Sequence, residues 1–373
     1  MIRVLHVLPW IREGGVERRR AAIAEQMTTD FEHRFFTFQA EGELADRLQA
    51  AGATITCARD DALTGPRTFM DLARVVRDYR PHIIHGAVFE GVILAATVGR
   101  VLRVPVVLGE ETSFATNRSP RGHALFRGLS MLTHRTVAIS PQVEQMLTET
   151  TGVRAQKVEL VMNGVDPLEA VTPASRAASR AQFKLSDDAF VLGTMSRLVN
   201  DDTKRVSDII RAMVRLRRTV PHAQLLVCGD GRDRPMLEAL ARDVGVDDVV
   251  TFAGNVVPQE GFHAMDVFVH VAEREGFGLA VAEAAFCALP MVTTGVGGIA
   301  SIILPDTSAR VVPVGDVDAI AKAVEEFAQD PALRERFGQA GRAYAVDRFS
   351  SARYVRDVEA LYRQLLQEQK VRV

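Results

Sequence analysis

Cysteine is scarce: Cys57, Cys228 and Cys287 are the only three in 373 residues, each isolated in an apolar stretch. No C-x-x-C pair or Cys/His spacing accompanies them, which argues against a zinc site, thioredoxin-like chemistry and a disulfide framework. Small buried hydrophobes in a reducing compartment are what remains. Net charge is nearly absent as well. Forty-five basic residues against 47 acidic ones leave a formal charge of -2, so nothing in the overall balance favours nucleic acid or anionic lipid. No G-x-G-x-x-G follows the first apolar run of either half, which leaves an NAD-dependent oxidoreductase poorly supported. The opening MIRVLHVLPWIREGG lacks a small-residue cleavage site and reads as a first buried strand instead of a signal peptide. Residues 284–305 carry no charge over a span long enough for a membrane. Pro290, Gly295, Gly297 and Gly298 break any continuous helix there, so a helix end, a buried strand and a turn are expected, in a cytoplasmic protein.

What is present is a soluble α/β composition, 47% hydrophobic and 25% charged, in a chain long enough for two domains. Short β-branched runs at 2–8, 34–38, 54–57, 82–85, 104–108 and 136–139 predict strands. Amphipathic segments at 16–27, 43–50, 67–79, 89–102, 122–134 and 142–150 predict the helices between them. A second cycle follows Asn163-Gly164, with strands at 190–195, 224–228, 249–252, 267–270 and 291–293. Its helices fall at 206–220, 232–244, 259–265 and 279–288. The polar, alanine-rich segment 173–184 suits a linker or first helix after a boundary, and the tail from 316 is a run of helices. The pattern predicts two doubly wound parallel-sheet domains in tandem, with ligands at the carboxyl ends of the strands and a cleft between the domains. Fold alone does not name a reaction.

Residues must do that. Glu275-Gly-Phe-Gly-Leu-Ala-Val-Ala-Glu283 follows the strand ending at His270. Gly276 and Gly278 let the backbone curl so that the amides of Phe277, Gly278 and Leu279 point at an anion at the start of a helix. Glu275 is placed to accept hydrogen bonds from sugar hydroxyls, and Glu283 from a ribose. The bland reading, a surface turn with two solvated glutamates, is weakened because Glu283 sits among apolar residues. A second signal is Arg197 and Lys204, in the loop after the strand at 190–195, where two cations suit a diphosphate. Either cation alone would mean little. Gly14-Gly15 allows close approach of a phosphate or acceptor to the backbone, although such a pair is more often only a tight turn. Gly229-Asp230-Gly231 reads as mainly structural.

In order and spacing these residues resemble glycosyltransferase family 4, a retaining family with the GT-B fold, over nearly the whole chain. Glu275 and Glu283 match its E-x7-E motif, and Arg197 and Lys204 its cation pair, with Ile209 and Ala212 in register. Leu226 to Gly231 with Phe252-Ala-Gly254 matches its central strand and turn. Val161 to Asp166 resembles its interdomain connection, Gly14-Gly15 its N-terminal glycine loop, and Arg348-Phe349 with Tyr362 its closing helix. The resemblance implies two Rossmann-like domains facing a cleft: an acceptor domain over 1–165, a donor domain over 166–347, and a helix over 348–373 returning to the first. It also implies transfer of a sugar from a nucleoside diphosphate donor with retention at the anomeric carbon, without a stable covalent intermediate. Arg197, Lys204 and the amides of 275–279 would stabilise the leaving diphosphate, with no cofactor and no metal required. A UDP-sugar is the first expectation for the donor and a GDP-sugar the second; a glycan, lipid-linked sugar or small molecule is the acceptor, in cell-surface polysaccharide or glycoconjugate synthesis. No nucleic acid is expected.

Three departures stand out. The loop from Arg197 to Lys204 is two residues longer than the common family spacing, which brings Arg205 in as a replacement or assistant for Lys204. Where many relatives carry a histidine, Glu111 stands here, as a candidate sugar or acceptor contact. Ser301 replaces a frequent glutamate in the segment from Gly297, which reads as structural. Arg118, Arg121 and Arg127 lie beside Leu125, Phe126 and Leu129, a pattern read equally as contact with an anionic membrane or as a solvated face on a core-packed helix. His123 is taken as a loop residue near the cleft, and His82, His85 and His270 as strand residues of the core or behind a site. Two rivals remain: a catalytically silent sugar-nucleotide-binding protein, and a non-hydrolysing sugar-nucleotide epimerase on the same fold.

Overall fold

The structure, a computed structural model, describes residues 1–12, 14–59, 62–115, 118–199 and 201–371. Thr116 and Asn117 of the basic segment and Asn200 of the cationic loop lie outside the described residues. The chain divides into two compact units, Met1–Gly164 with Ser351–Val373, and Val165–Ser350.

The first unit holds β1 (Ile2–Val7), β2 (Trp10–Ile11), β3 (Phe31–Thr37), β4 (Gln39–Ala40), β5 (Thr54–Cys57), β6 (Ile83–Ala87), β7 (Val106–Glu111), β8 (Arg135–Ala138) and β9 (Val158–Leu160). β2 and β4 pair as a two-residue ribbon. The other seven form one parallel sheet in the order β5-β3-β1-β6-β7-β8-β9. Its helices are α1 (Gly15–Gln26), α2 (Glu43–Ala50), α3 (Pro66–Tyr79), α4 (Val88–Val101), α5 (Pro120–Leu132) and α6 (Pro141–Gln145). Proline in the first turn of α3, α5 and α6 fits a position whose N–H has no helical acceptor anyway.

In the second unit β10 (Phe190–Met195), β11 (Ala223–Cys228), β12 (Val250–Gly254), β13 (Val267–His270), β14 (Met291–Thr293) and β15 (Ala309–Val311) make a parallel sheet ordered β12-β11-β10-β13-β14-β15. Around it lie α7 (Pro173–Gln182), α8 (Asp201–Lys204), α9 (Val206–Thr219), α10 (Arg234–Asp243), α11 (Pro258–His263), α12 (Leu279–Phe286), α13 (Val317–Gln329) and α14 (Pro331–Arg348). The last helix, α15 (Ser351–Glu368), belongs to the first unit.

Strands covered on both faces need apolar residues at successive positions, and β1, β6, β10 and β13 are buried almost throughout. In the first unit Ile2, Val4, Ile83 and Val106 meet Ile23 of α1 and Tyr354, Val358, Leu361 and Tyr362 of α15. The opposite set, Leu5, Val7, Ile84 and Val107, meets α3 and α4 through Leu72, Val76, Leu94 and Val98. In the second unit Leu192, Leu225, Val227 and Val267 pack with Ile209 and Met213 of α9 and Ile320 and Phe327 of α13.

Two short edge strands, β9 and β15, were not in the sequence-based expectation. Residues 284–305 become the end of α12, then β14 and a 3-10 turn at Gly297–Ser301. Among the described residues no helix is long and apolar enough to cross a membrane. His123 is corrected: it lies inside α5 and not in a loop, because Ser119 caps a helix that already starts at Pro120.

Candidate functional site

In each sheet the first strand sits between the second and the fourth of the main run, so the chain reverses direction across the sheet beside it. Loops leaving that point diverge and open a crevice at the carboxyl ends of the strands, where doubly wound sheets bind ligands. In the second unit the two strands concerned are β10 and β13. Arg197 and Lys204 follow β10, and Glu275 follows β13.

Backbone contacts fix both loops. A Cβ on Gly229 (φ +121°) would strike the carbonyl oxygen of Ser196, and one on Gly231 (φ +155°) that of Leu198. The loop after β11 therefore lies flat against the loop carrying Arg197, tied by Leu198 N–H to the Asp230 carbonyl at 3.0 Å. On the other side Glu273 N–H donates to the Thr203 carbonyl at 2.8 Å and Arg274 Nη2 to Thr203 Oγ1 at 3.2 Å. These links bring together two side chains 71 residues apart: Lys204 Nζ donates to Glu275 Oε2 at 2.6 Å.

Burial pushes Glu275 toward protonation, but the adjoining His270 imidazole and the Lys204 charge outweigh it and hold the carboxyl well below its ordinary range. His270 Nε2 lies 3.4 Å from the same Oε2 and is left without a hydrogen-bond partner. Gly276 N–H donates to Glu275 Oε1 at 3.1 Å, and Gly278, at φ +101°, starts α12 with no side-chain cap. The first amides of such a helix have no acceptor within it. A Cβ on Gly297 or Gly298 would run into the carbonyls of Glu275 or Gly276, so that glycine pair is needed for the turn to close. Phe277 is buried edge-on to Phe349, 5.8 Å away, and Glu283 is half-buried on α12.

Arg197 is exposed and makes no hydrogen bond or ion pair among the described residues. Arg205, in left-handed conformation, donates to Asp208 at 2.6 Å and lies 3.8 Å from Glu273. Of the two neighbouring cations, Lys204 is the one at Glu275. Asp201 accepts from Ser207 N–H at 3.1 Å, a role in starting α9.

In the first unit Gly14 precedes α1, and a Cβ there would collide with the Glu17 carboxylate, which lies over the helix start with Gly15. Glu111, at the end of β7, is buried and held by Arg118 and by Ser113 Oγ at 2.9 Å. Arg118 stacks on Phe89 and Phe126. His123 Nδ1 lies 2.9 Å from Thr151 Oγ1. Phe126 and Leu129 are core residues while Leu125 is half exposed, so the apolar side inferred for this segment is split.

A further cluster escaped sequence reading. Glu110 pairs with Arg19 at 2.8 Å and with Arg20, all nearly inaccessible. Arg20 lies 3.1 Å from both ring nitrogens of His85, whose Nδ1 is 2.8 Å from the Tyr362 hydroxyl on α15. The available signal was Glu110 directly after an apolar run, in a strand that continues past the predicted end at 108, where a buried carboxylate must be paired.

With this geometry in place, the comparisons with known proteins converge. Residues 13–168 match the Glycosyltransferase Family 4 model and residues 175–344 the Glycosyl transferases group 1 model. A GDP-mannose-dependent alpha-(1-6)-phosphatidylinositol monomannoside mannosyltransferase of Mycolicibacterium smegmatis is 35% identical over 185 residues, 47% of this chain and 48% of the relative. A D-inositol 3-phosphate glycosyltransferase of Saccharomonospora viridis is 33% identical over 224 residues, 56% of this chain and 50% of the relative. The chain spans about half the length of the curated relatives it matches. Among solved structures, Anabaena HepE in complex with UDP and glucose superposes with a TM-score of 0.85 at 18% identity, over 97% of this chain and 99% of that one. WaaG, a glycosyltransferase involved in lipopolysaccharide biosynthesis, gives 0.76 at 17% identity, over 96% and 99%. The fold is thus that of the two-domain GT-B enzymes. The chain belongs to the group 1, family 4 glycosyltransferases.

Proposed function

We propose that the protein transfers a sugar from a nucleoside diphosphate donor to a hydroxyl of a glycan or lipid-linked acceptor, with retention of anomeric configuration. The observation that carries this reading is the Lys204–Glu275 pair at the reversal point of the second sheet, with Arg197 uncommitted in the connection from β10 to α8. A leaving diphosphate develops negative charge, and Arg197, Lys204 and the uncapped start of α12 supply positive charge there. Glu275, kept ionised, accepts from sugar hydroxyls, and Glu283 from the ribose. A donor phosphate oxygen takes the proton of the acceptor hydroxyl as the new glycosidic bond forms on the face from which the diphosphate leaves. With two side-chain cations at the leaving group, no divalent metal is invoked.

UDP-sugars are favoured as donors and GDP-sugars come next. Support is divided: HepE was solved with UDP-glucose, whereas two of the mannosyltransferase relatives are GDP-mannose-dependent. Polysaccharide or glycolipid synthesis as the setting rests on the names of such relatives.

Acceptor-dependent release of nucleoside diphosphate tests the reaction. Release that requires acceptor and is lost in Arg197→Ala with folding intact is the expected result. Interconversion of sugar nucleotides without acceptor would mean an epimerase instead, and binding without turnover a silent sugar-nucleotide-binding protein.

A further inference from the structure

Behind Glu275 lies a buried group without a task. His270 ends β13, is 4% exposed and stacks 6.0 Å from Phe268. Its Nε2 is shut off from solvent with no hydrogen-bond partner. Buried polar atoms are seldom left so, because the lost hydration is not repaid. The nearby acceptor is Glu275 Oε2 at 3.4 Å, which takes its short hydrogen bond from Lys204 at 2.6 Å. An incoming diphosphate competes for that same ammonium, which is 28% exposed and sits on a flexible four-carbon stem. Once Lys204 turns away, a carboxylate only 18% exposed has lost its shortest donor, and an ionised group so placed requires another.

We propose that His270 is a positioning residue of the donor site: its Nε2–H becomes the donor to Glu275 Oε2 when Lys204 engages the diphosphate, and holds the carboxylate in place for the sugar hydroxyls. The inference rests on the donor reading of Lys204 and Glu275 given above. No bond is made or broken and no proton changes owner. His270 touches neither phosphate nor sugar; it acts through Glu275. Its loss therefore weakens recognition of the sugar and spares recognition of the diphosphate, a separation that a merely structural histidine would not produce.

Calorimetric titration of the full chain with UDP, UDP-glucose, GDP and GDP-mannose tests this. The tighter binding of a sugar nucleotide over its bare diphosphate defines a sugar increment. In His270→Leu the sugar nucleotide is expected to bind about tenfold more weakly, the scale of one hydrogen bond to a charged group, while the bare diphosphate stays within about twofold. His270→Gln, whose amide nitrogen reaches the place of Nε2, restores the increment. His270→Asn, which reaches only toward Nδ1, does not. If His270→Leu fails to fold, the Gln and Asn variants make the same comparison, with thermal unfolding as the check. Equal losses for diphosphate and conjugate, no loss in either, or a wild type without any increment overturn the proposal. A wild type that binds none of the four ligands overturns the donor reading itself, and His270's role with it, before any His270 variant is measured.

Discussion

Replacing Glu110 by Gln removes one charge from a cluster shut off from bulk solvent. Glu110 and Arg20 have side chains 1% exposed and Arg19 4%. Desolvation opposes ionisation of Glu110, yet the charges of Arg20 and Arg19 hold its carboxyl well below the ordinary range. After substitution two guanidinium groups face one amide in a low-dielectric site. Breaking a buried pair in this way costs about 3–5 kcal/mol, because an uncompensated charge remains. For a unit of roughly 150–250 residues, each kcal/mol lowers the melting temperature by about 2–4 °C, so a fall of the order of 10 °C is expected. Differential scanning calorimetry measures it directly. The companion variant replaces the whole set, Arg19→Met and Arg20→Met with Glu110→Leu, and removes charge and counter-charge together. It should recover most of the loss, since well-packed apolar groups often match a buried ion pair. A loss under about 1 kcal/mol in Glu110→Gln, the scale of an exposed pair, would refute the claim that this cluster is dry and mutually dependent.

Three other consequences are open to measurement. Lys204→Met should weaken binding of the recognised nucleoside diphosphate by about 10–100-fold, one to two charge-assisted hydrogen bonds; Arg205→Met should have little effect, since Arg205 is turned to Asp208 and Glu273. Calorimetry that ranked the two in reverse order would contradict the placement of the longer loop. Gly229→Ala should destabilise the second unit more than Gly245→Ala in urea titrations, because both need positive φ but only Gly229 has a backbone carbonyl in the way of a Cβ. Burial, with the charge of Arg20, holds His33 and His85 at about 4 and His6 well below its ordinary value. In the unfolded chain they titrate near 6.5, so the stability they confer as neutral rings is full above that pH and falls as pH drops toward 4. The slope should approach about 1.4 kcal/mol per pH unit per histidine, and His33→Gln should make it shallower.

The parallel sheets were legible because strands covered on both faces must be continuously apolar, as residues 190–195 and 267–270 are. β9 and β15 were not: each is three residues long at a sheet edge, with Glu159 or Arg310 at its centre, and an edge exempts a strand from the apolar rule. Glu275 and Lys204 were legible as chemistry, but their contact was not, since it depends on how Thr203 is tied to Glu273 and Arg274. His270 was placed in its strand, while the orphaned Nε2 beside Glu275 exists only in three dimensions. Arg19 and Arg20 lie in a run of three arginines, and the carboxylate that pairs with both stands about 90 positions away, beyond the reach of any local pattern.

The proposed reaction depends on a nucleoside diphosphate site built from Arg197, Lys204 and Glu275. A thermal-shift panel of UDP, GDP, ADP, CMP and NAD tests it most directly. At about a hundred times the dissociation constant, a ligand of the native state adds roughly 2.7 kcal/mol of stability, enough to raise the transition by several degrees. Stabilisation by one nucleoside diphosphate, abolished in Arg197→Ala, is the predicted result. No response to any diphosphate, or a response to NAD alone, would contradict the account.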